Sequence, residues 1–296
     1  MPAPLEAYGK EALVKQNPHA DFAAVEASRP EYSFEASWTT SKTPSPSWQP
    51  CDGASRGGWE QKSIAIDPQS PPRTVNQNYK LMISSTISRP IALVSTVSTD
   101  GRYQNLAPFS YFNNVANDLP LYSLSFHGED ANVSLRNLQE TGELSISIVS
   151  DWFLEAANFT SVNTPPHISE WPLSGLHPVK SLKIRPSHVA ESAFSMEYRV
   201  HSSTPIFSKT VFKKDGTLKR TATLVLAEAV MFNVQEDVID EQRETVDIKV
   251  LRLVWRGGGT TYGNCFGGWE TPRPDAFRVL RENQRVKDIL QDANDA

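Results

Sequence analysis

The chain has 296 residues, 39% of them hydrophobic, and a formal net charge of −5 at a pI of about 5.7. This size and composition fit a globular protein of one large or two small domains. The acidic balance argues against a nucleic-acid partner, because phosphate backbones require clustered Lys and Arg. No run of about 18 apolar residues suggests a membrane span, and the polar start of the chain predicts no signal peptide. We therefore expect a cytoplasmic protein.

Residues 1–70 differ in composition from the rest of the chain. Pro, Ser and Trp are scattered through this segment without hydrophobic periodicity, which predicts an irregular extension. Trp38, Trp48 and Trp59 are large apolar side chains that a solvated linker seldom carries. We expect the extension to wrap over the main domain or over a second copy of the chain, with a loosely attached segment as the alternative.

Strand patterns dominate the sequence from Ile83 onward. Apolar and polar residues alternate at 121–126, 144–149 and 194–200, as in strands with one buried face. The apolar run at 221–234 predicts one or two core strands. Because several short strands occur without a βαβ rhythm, the pattern predicts a closed or split antiparallel barrel.

Helices are predicted between and after these strands. One is expected at 132–141, where Asp130 or Asn132 can cap its start and Gly142 is placed to end it. A second, short helix is expected at 152–159. A charged terminal helix is predicted at 275–292.

The sequence gives little support to metal chemistry. Cys51 and Cys265 cannot form a disulfide framework or a zinc site alone, and the six histidines show no ligand spacing. No metal is therefore expected. Arg252 or Arg256 with Tyr262 is a candidate clamp for an anionic ligand, with a structural turn as the alternative.

The segment from Arg89 to Asn113 has the residue types of a ligand site. Ile91 and Leu93 predict a buried strand, and Asp100-Gly101 predicts the tight turn that ends it. A polar loop at a strand edge can direct backbone N–H groups and neutral side chains toward a planar ligand or a phosphate. The side chains suited to this are Ser95, Thr96, Ser110 and Asn113. An ordinary hairpin with polar turns is the alternative.

Four sequence elements resemble one family. RPIALVST at 89–96 and NLAPFSYFN at 105–113 are similar to the signature of the flavin reductase-like, FMN-binding split-barrel family, in its flavoredoxin-like branch. SEWPLSGL at 169–176 and RGGGTTY at 256–262 resemble two later elements of that family, in the same order. The likeness covers roughly residues 75 to 265.

The resemblance implies a mainly β fold. We expect an FMN-binding split β-barrel with a few flanking helices, formed by residues 71–265. An irregular N-terminal extension at 1–70 would precede this domain, and a helical tail at 266–296 would follow it. Because sites of this family form at subunit interfaces, the resemblance also implies a homodimer.

The resemblance further implies which residues contact FMN. The first two elements would hold the isoalloxazine ring and the ribityl chain, which requires neutral hydroxyls and backbone N–H groups. The residues implied are Arg89, Ser95, Thr96, Asn105, Leu106, Ala107, Pro108, Phe109, Ser110, Phe112 and Asn113. No catalytic residue is predicted.

The phosphate of FMN is expected at the start of the helix at 132–141. A helix N-terminus favours anions, and Ser134 and Arg136 are the candidate side chains there. Relatives commonly carry Lys-Asp where this chain has Asn132 and Val133. Either FMN binding is weaker here, or the basic contact comes from Arg89 or Arg136.

The electron donor has no clear sequence signature. Many flavin reductases of the wider superfamily carry Gly-Asp-His on a late strand, and the comparable stretch at 221–230 contains none of these residues. NADH or NADPH is kept as a candidate donor without a residue that supports its direct use.

We interpret the chain as an FMN-dependent oxidoreductase that passes electrons to flavin, oxygen or a small organic substrate. One alternative is a flavin-binding electron carrier, or a flavin-delivering partner protein, without a substrate of its own. The missing Gly-Asp-His favours this alternative. Another is a non-catalytic interaction protein that binds a partner through its Trp-rich extension.

Overall fold

The computed structural model describes residues 22–42, 44, 46–50, 64, 66–68, 71–72, 74–128, 132–165, 167–268 and 276–294. The described residues form two compact units. The first contains the residues up to Glu35 together with Lys80–Cys265, and the second contains Ala36–Tyr79 and the residues from Phe266 onward. Cys51 and Trp59 lie outside the described residues.

The strands of the described residues are β1 (Thr39–Thr40), β2 (Arg89–Pro90), β3 (Ala92–Val97), β4 (Gln104–Phe109), β5 (Phe112–Ala116), β6 (Leu121–His127), β7 (Glu143–Ile148), β8 (Pro178–Val179), β9 (His188–Val189), β10 (Phe194–Phe212), β11 (Leu218–Val234), β12 (Val254–Arg256), β13 (Tyr262–Asn264) and β14 (Gly267–Gly268). The helices are α1 (Phe22–Ala27), α2 (Val75–Ser85), α3 (Val133–Thr141), α4 (Leu154–Phe159), α5 (Glu170–Ser174), α6 (Ile248–Leu251), α7 (Phe277–Leu280) and α8 (Gln284–Asn294), with a 3₁₀ turn at Asp151–Phe153. None of these helices has the length and hydropathy needed to cross a membrane.

A seven-stranded antiparallel sheet organises the first unit. Its strand order is β4-β3-β7-β10-β11-β6-β5, so β4 and β5 are the two ends. β12 pairs with β13 and β2 in a separate three-stranded sheet. The described fold is therefore mainly β with few helices, as the strand pattern predicted.

Successive residues of β3 divide the core into two clusters. Ala92 and Val94 belong to one cluster and Leu93 to the other, because alternate side chains of a strand point to opposite faces. Each fully buried aliphatic or aromatic side chain contributes roughly 1.5–3 kcal/mol. The first cluster also contains Phe112, Leu124, Phe126, Leu135, Leu138, Leu144, Ile146 and Tyr198, and the second contains Ile91, Leu106, Val149, Phe153, Trp171 and Leu176.

β10 and β11 are longer than the sequence pattern predicted. The strand predicted at 194–200 continues to Phe212, and the run predicted at 221–234 is one strand that begins at Leu218. Both faces are exposed beyond Val200, so the alternation that marks a half-buried strand is lost there. We call residues 201–212 and 218–221 the outer hairpin.

The predicted helix at 132–141 is confirmed, with both of its caps. The Asn132 side chain accepts a hydrogen bond from the Leu135 N–H at 3.0 Å, and Gly142 ends the helix at a φ of 70°. The helix predicted at 152–159 corresponds to the 3₁₀ turn and α4. The predicted terminal helix is interrupted, since α7 and α8 are separate.

α2 was not predicted from the sequence. Thr74 and Gln77 form a capping box at its start: the Gln77 N–H donates to Thr74 Oγ1 at 3.2 Å, and the Thr74 N–H donates to Gln77 Oε1 at 2.8 Å. Tyr79, Leu81 and Met82 are all exposed, so these positions form no buried apolar stripe of the kind that predicts a helix.

In the second unit, β1 pairs with β14 in parallel. The Trp38 ring lies against Gly268, where an added Cβ would come within 2.4 Å of the ring. Gly268 is therefore needed for this contact, and Trp38 is an anchor within its own unit. Trp48, the other described tryptophan of the predicted extension, is 51% exposed.

Candidate functional site

Three adjoining cavities follow β4 and form what we call the β4 cleft. The central cavity, of about 280 Å³, lies between β4, the start of α3 and the loop 160–164. A cavity of about 170 Å³ shares Pro108, Phe109 and Ser161 with it and reaches Tyr262. A third, of about 240 Å³, shares Asn105 and extends along α3.

The cleft exists because β4 has a free edge. β4 pairs only with β3 in the described sheet, so alternate backbone groups of β4 point away from the sheet. The Leu106 N–H is one of these groups, since it donates to a side chain of α5 at 3.0 Å. Pro108, two residues later, occupies the same side. A proline is tolerated there because no ladder hydrogen bond is lost.

The N-terminus of α3 directs hydrogen-bond donors into the central cavity. The first N–H groups of a helix have no intrahelical partner, and the Asn132 cap satisfies only that of Leu135. Those of Val133 and Ser134 therefore face the end of the helix. Ser134 Oγ accepts from Asn105 Nδ2 at 2.9 Å, which leaves the Ser134 hydroxyl proton available to a further acceptor.

The loop 160–164 forms a further wall of the central cavity and was not predicted from the sequence. Thr160, Ser161, Val162, Asn163 and Thr164 all line the central cavity. Glu170 also lines it and was missed as well. Its position at the start of SEWPLSGL, an element of the resemblance, was the one available signal.

Tyr262 closes the far end of the cleft. Its hydroxyl donates to Asn158 Oδ1 at 2.6 Å, and the Arg256 guanidinium lies 4.2 Å from the centre of its ring. Burial raises the pKa of Tyr262, while the charge of Arg256 opposes that shift. The hydroxyl is thus neutral at physiological pH. Arg256 also donates to the Gly259 carbonyl, as expected for the structural-turn alternative.

The structure brings some of the predicted residues together in the cleft. Those that line its central cavity or the cavity toward Tyr262 are Asn105, Ala107, Pro108, Phe109, Ser110 and Ser134. Arg136 lines the third cavity, along α3, and not the central one. Ser134 and Arg136, both on α3, therefore line different cavities.

Other predicted residues lie beneath the cleft or away from it. Ser95, Thr96, Leu106 and Phe112 are buried, and Asn113 is exposed on β5. Thr96 Oγ1 accepts from Asn137 Nδ2 at 3.2 Å, whereas Ser95 Oγ has no partner among the described residues. These five side chains do not line the three cavities.

Arg89 is buried under the site. It donates to the Thr86 carbonyl at 2.8 Å, to the Gly257 carbonyl at 2.6 Å and to Ser110 Oγ at 3.4 Å. The side chain thus connects the start of the sheet to the glycine-rich turn and to the end of β4. In this structure it supports the cleft wall from behind.

A family model described as the flavin reductase like domain matches residues 84–261 of the chain. The chain belongs to this family. An uncharacterized protein of Halalkalibacterium halodurans is 31% identical over 71% of this chain and 97% of its own length. YwrF of Bacillus subtilis is 30% identical over 70% and 98%, respectively.

Solved structures support the same assignment. Nitrilotriacetate monooxygenase component B from Bacillus cereus is 29% identical, with a TM-score of 0.62 over 73% of this chain and 100% of that one. A split-barrel protein from Shewanella frigidimarina, 18% identical, shows the fold with a TM-score of 0.56 over 69% of this chain and 95% of that one. The predicted split barrel is confirmed. As a member of the flavin reductase-like family, the chain has a flavin-related oxidoreductase function.

Proposed function

We propose that the chain binds FMN in the β4 cleft and acts as an FMN-dependent oxidoreductase. The observation that carries this proposal is the set of N–H groups at the start of α3 that have no partner among the described residues, beside a central cavity whose described lining is uncharged apart from Glu170. Bound FMN supplies the redox chemistry, and the protein contributes binding, orientation and exclusion of water.

The phosphate of FMN fits the donors at the N-terminus of α3. The N–H groups of Val133 and Ser134 and the Ser134 hydroxyl can all donate to an anion, and the helix dipole favours one. These groups would replace, as donors to the phosphate, the Lys that the resemblance implies before this helix. We propose Arg136, which lines the adjoining cavity, for a contact at the outer side of the phosphate.

The isoalloxazine ring fits the end of the cleft toward Tyr262. Ile91, Pro108 and Phe109 provide apolar walls, while Ser110 and Ser161 provide neutral hydroxyls. Such a pocket holds a planar aromatic group by contact and fixes its orientation with a few polar groups. Because Tyr262 donates to Asn158, its ring orientation is fixed at the end of the cleft.

The electron donor and the electron acceptor are the second part of this proposal. The strand that would carry Gly-Asp-His is β11, whose residues at that point are buried or pair with β6. We propose NADH or NADPH as the donor of an oxidoreductase with a small organic acceptor, flavin or oxygen. The name of the Bacillus cereus neighbour, a component of a monooxygenase, supports the alternative of a flavin-delivering partner protein.

The test is the visible spectrum of the purified protein before and after addition of FMN. We expect flavin bands that are retained through gel filtration, and bleaching by NADH or NADPH without oxygen. If neither nucleotide bleaches the flavin bands, direct reduction is excluded and the alternative of a flavin-delivering partner protein is favoured. Failure to take up FMN or FAD would overturn the cofactor assignment.

We also propose that the chain forms a homodimer through the outer hairpin. Its exposed apolar side chains include Phe207 and Phe212, which are 51% and 59% exposed. The outer hairpin and its turn at 213–217 together carry five Lys or Arg residues and one acidic residue in a chain of net charge −5, so their charge complements the rest of a second copy. Replacing both Phe207 and Phe212 by Ser should shift the protein to monomer in sedimentation equilibrium. An unchanged mass would exclude this interface.

A further inference from the structure

Glu170 is a buried carboxylate that connects the two walls of the β4 cleft. It is 3% exposed and is the first residue of α5. Its Oε2 accepts from the Leu106 N–H at 3.0 Å, on the free edge of β4. Its Oε1 accepts from the Thr164 hydroxyl, on the loop 160–164. One side chain thus holds a strand and a loop that both line the central cavity.

Burial of the Glu170 carboxylate requires interactions that compensate for its lost hydration. Removing its charge from water is unfavourable unless hydrogen bonds or a cation compensate. Among the described residues, no Lys, Arg or His forms an ion pair with Glu170. Neutral donors compensate instead, and each of the two carboxylate oxygens accepts from one of them.

The surrounding contacts place this bridge at the limit of the open edge. Ser169 Oγ donates to the Gln104 carbonyl at 2.6 Å, so the start of α5 covers β4 from Gln104 to Leu106. Beyond this cover, Pro108 and Phe109 line both the central cavity and the cavity toward Tyr262. The bridge therefore fixes both the covered length of β4 and the distance to the loop.

We propose that Glu170 is a positioning residue that sets the width of the β4 cleft for the flavin. This inference rests on the proposed function, since the cleft is taken to hold FMN. Glu170 acts through Thr164 and the loop 160–164, whose polar groups then meet the ligand at a fixed distance from β4. A loop without the bridge would have to be ordered by the ligand, and the cost of that ordering reduces affinity.

The test separates the two halves of the bridge. Thr164→Val removes the hydroxyl on the loop side and leaves the bond to Leu106, and Thr164→Ser retains the hydroxyl. Glu170→Gln keeps one acceptor oxygen and turns the amide group toward one of the two donors. Glu155→Gln, on α4, is the matched control because Glu155 is exposed.

Binding of FMN and amide hydrogen exchange of residues 160–164 are the two measurements. We expect Thr164→Val and Glu170→Gln to weaken FMN binding about tenfold or more and to speed exchange in the loop without FMN. Thr164→Ser and Glu155→Gln should stay within about twofold of the original protein. If Glu170→Gln does not fold, Thr164→Val alone decides.

The outcomes keep this inference distinct from the cofactor assignment. FMN binding by Thr164→Val within about twofold of the original protein would overturn the positioning role and leave the cofactor assignment intact. If the original protein binds no flavin but loop exchange still speeds in the variants, the bridge stands as the element that orders the loop, and FMN as its ligand is excluded. Loss of thermal stability with unchanged FMN affinity would identify Glu170 as purely structural.

Discussion

The free edge of β4 and the outer hairpin are two regions where the central sheet lacks a neighbouring strand, and they meet solvent in opposite ways. At β4, the Ser169 and Glu170 side chains contact the outward backbone groups of Gln104 and Leu106, and mostly uncharged residues line the remaining opening. At the outer hairpin, β10 pairs with β11 on one side only, and apolar and basic side chains are exposed.

This difference indicates two kinds of partner. A concave opening with a few converging donors suits a small anionic ligand that supplies the missing hydrogen bonds. A two-stranded hairpin with exposed apolar side chains is marginally stable alone and gains stability when another protein surface covers it. The difference therefore supports the proposed ligand at β4 and the proposed protein contact at the outer hairpin.

Matched leucine truncations give the largest expected contrast between the two regions. Leu106 is fully buried on β4, so Leu106→Ala should lower the free energy of unfolding by about 2–5 kcal/mol. Leu218, in the outer hairpin, is 41% exposed, and Leu218→Ala should cost less than about 0.5 kcal/mol in a dilute monomer. Urea unfolding at low protein concentration measures both. Equal losses would show that the hairpin is as well packed as the β4 side.

The phosphate end of the cleft should give the next largest effect. Ser134→Ala removes the hydroxyl that can donate to the phosphate and leaves Asn105 Nδ2 without its acceptor. A hydrogen bond to a charged group contributes about 1.5–3 kcal/mol, so FMN affinity should fall tenfold or more. Ser134→Thr keeps the hydroxyl and is the control. Quenching of flavin fluorescence on binding provides the dissociation constants, and equal affinities for Ala and Thr would place the phosphate elsewhere.

Much of the sheet and its main helix could be predicted because their signals are local. The alternation at 121–126 and 144–149 reports one buried face, and Asn132 and Gly142 supply caps that depend only on neighbouring residues. The full length of β10 could not be predicted. Its outer part is held by pairing with β11 alone, so burial leaves no period in the sequence.

The site was predictable only where the family signature marks contiguous residues. That signature located Ala107, Pro108 and Phe109 on the cleft, although it could not separate lining residues from supporting ones such as Arg89. The bridge from Glu170 to Thr164 joins residues on different elements. Such a tertiary contact leaves no local sequence pattern. A glutamate at the start of a helix is ordinarily explained by its favourable interaction with the helix dipole.

Titration of His188, on β9, should give the smallest effect. Burial lowers the pKa of His188, whose Nδ1 has no partner among the described residues, and the Glu197 carboxylate opposes that shift only in part. Because the folded state then binds fewer protons than the unfolded chain, stability is retained above the ordinary histidine pKa and is lost as pH falls below it. We expect His188→Gln to reduce the loss of stability between about pH 7 and pH 5.5. His201→Gln, at an exposed position of the outer hairpin, is the control substitution. Urea midpoints at the two pH values test this, and identical pH dependence in all three proteins would show that His188 is hydrated in solution.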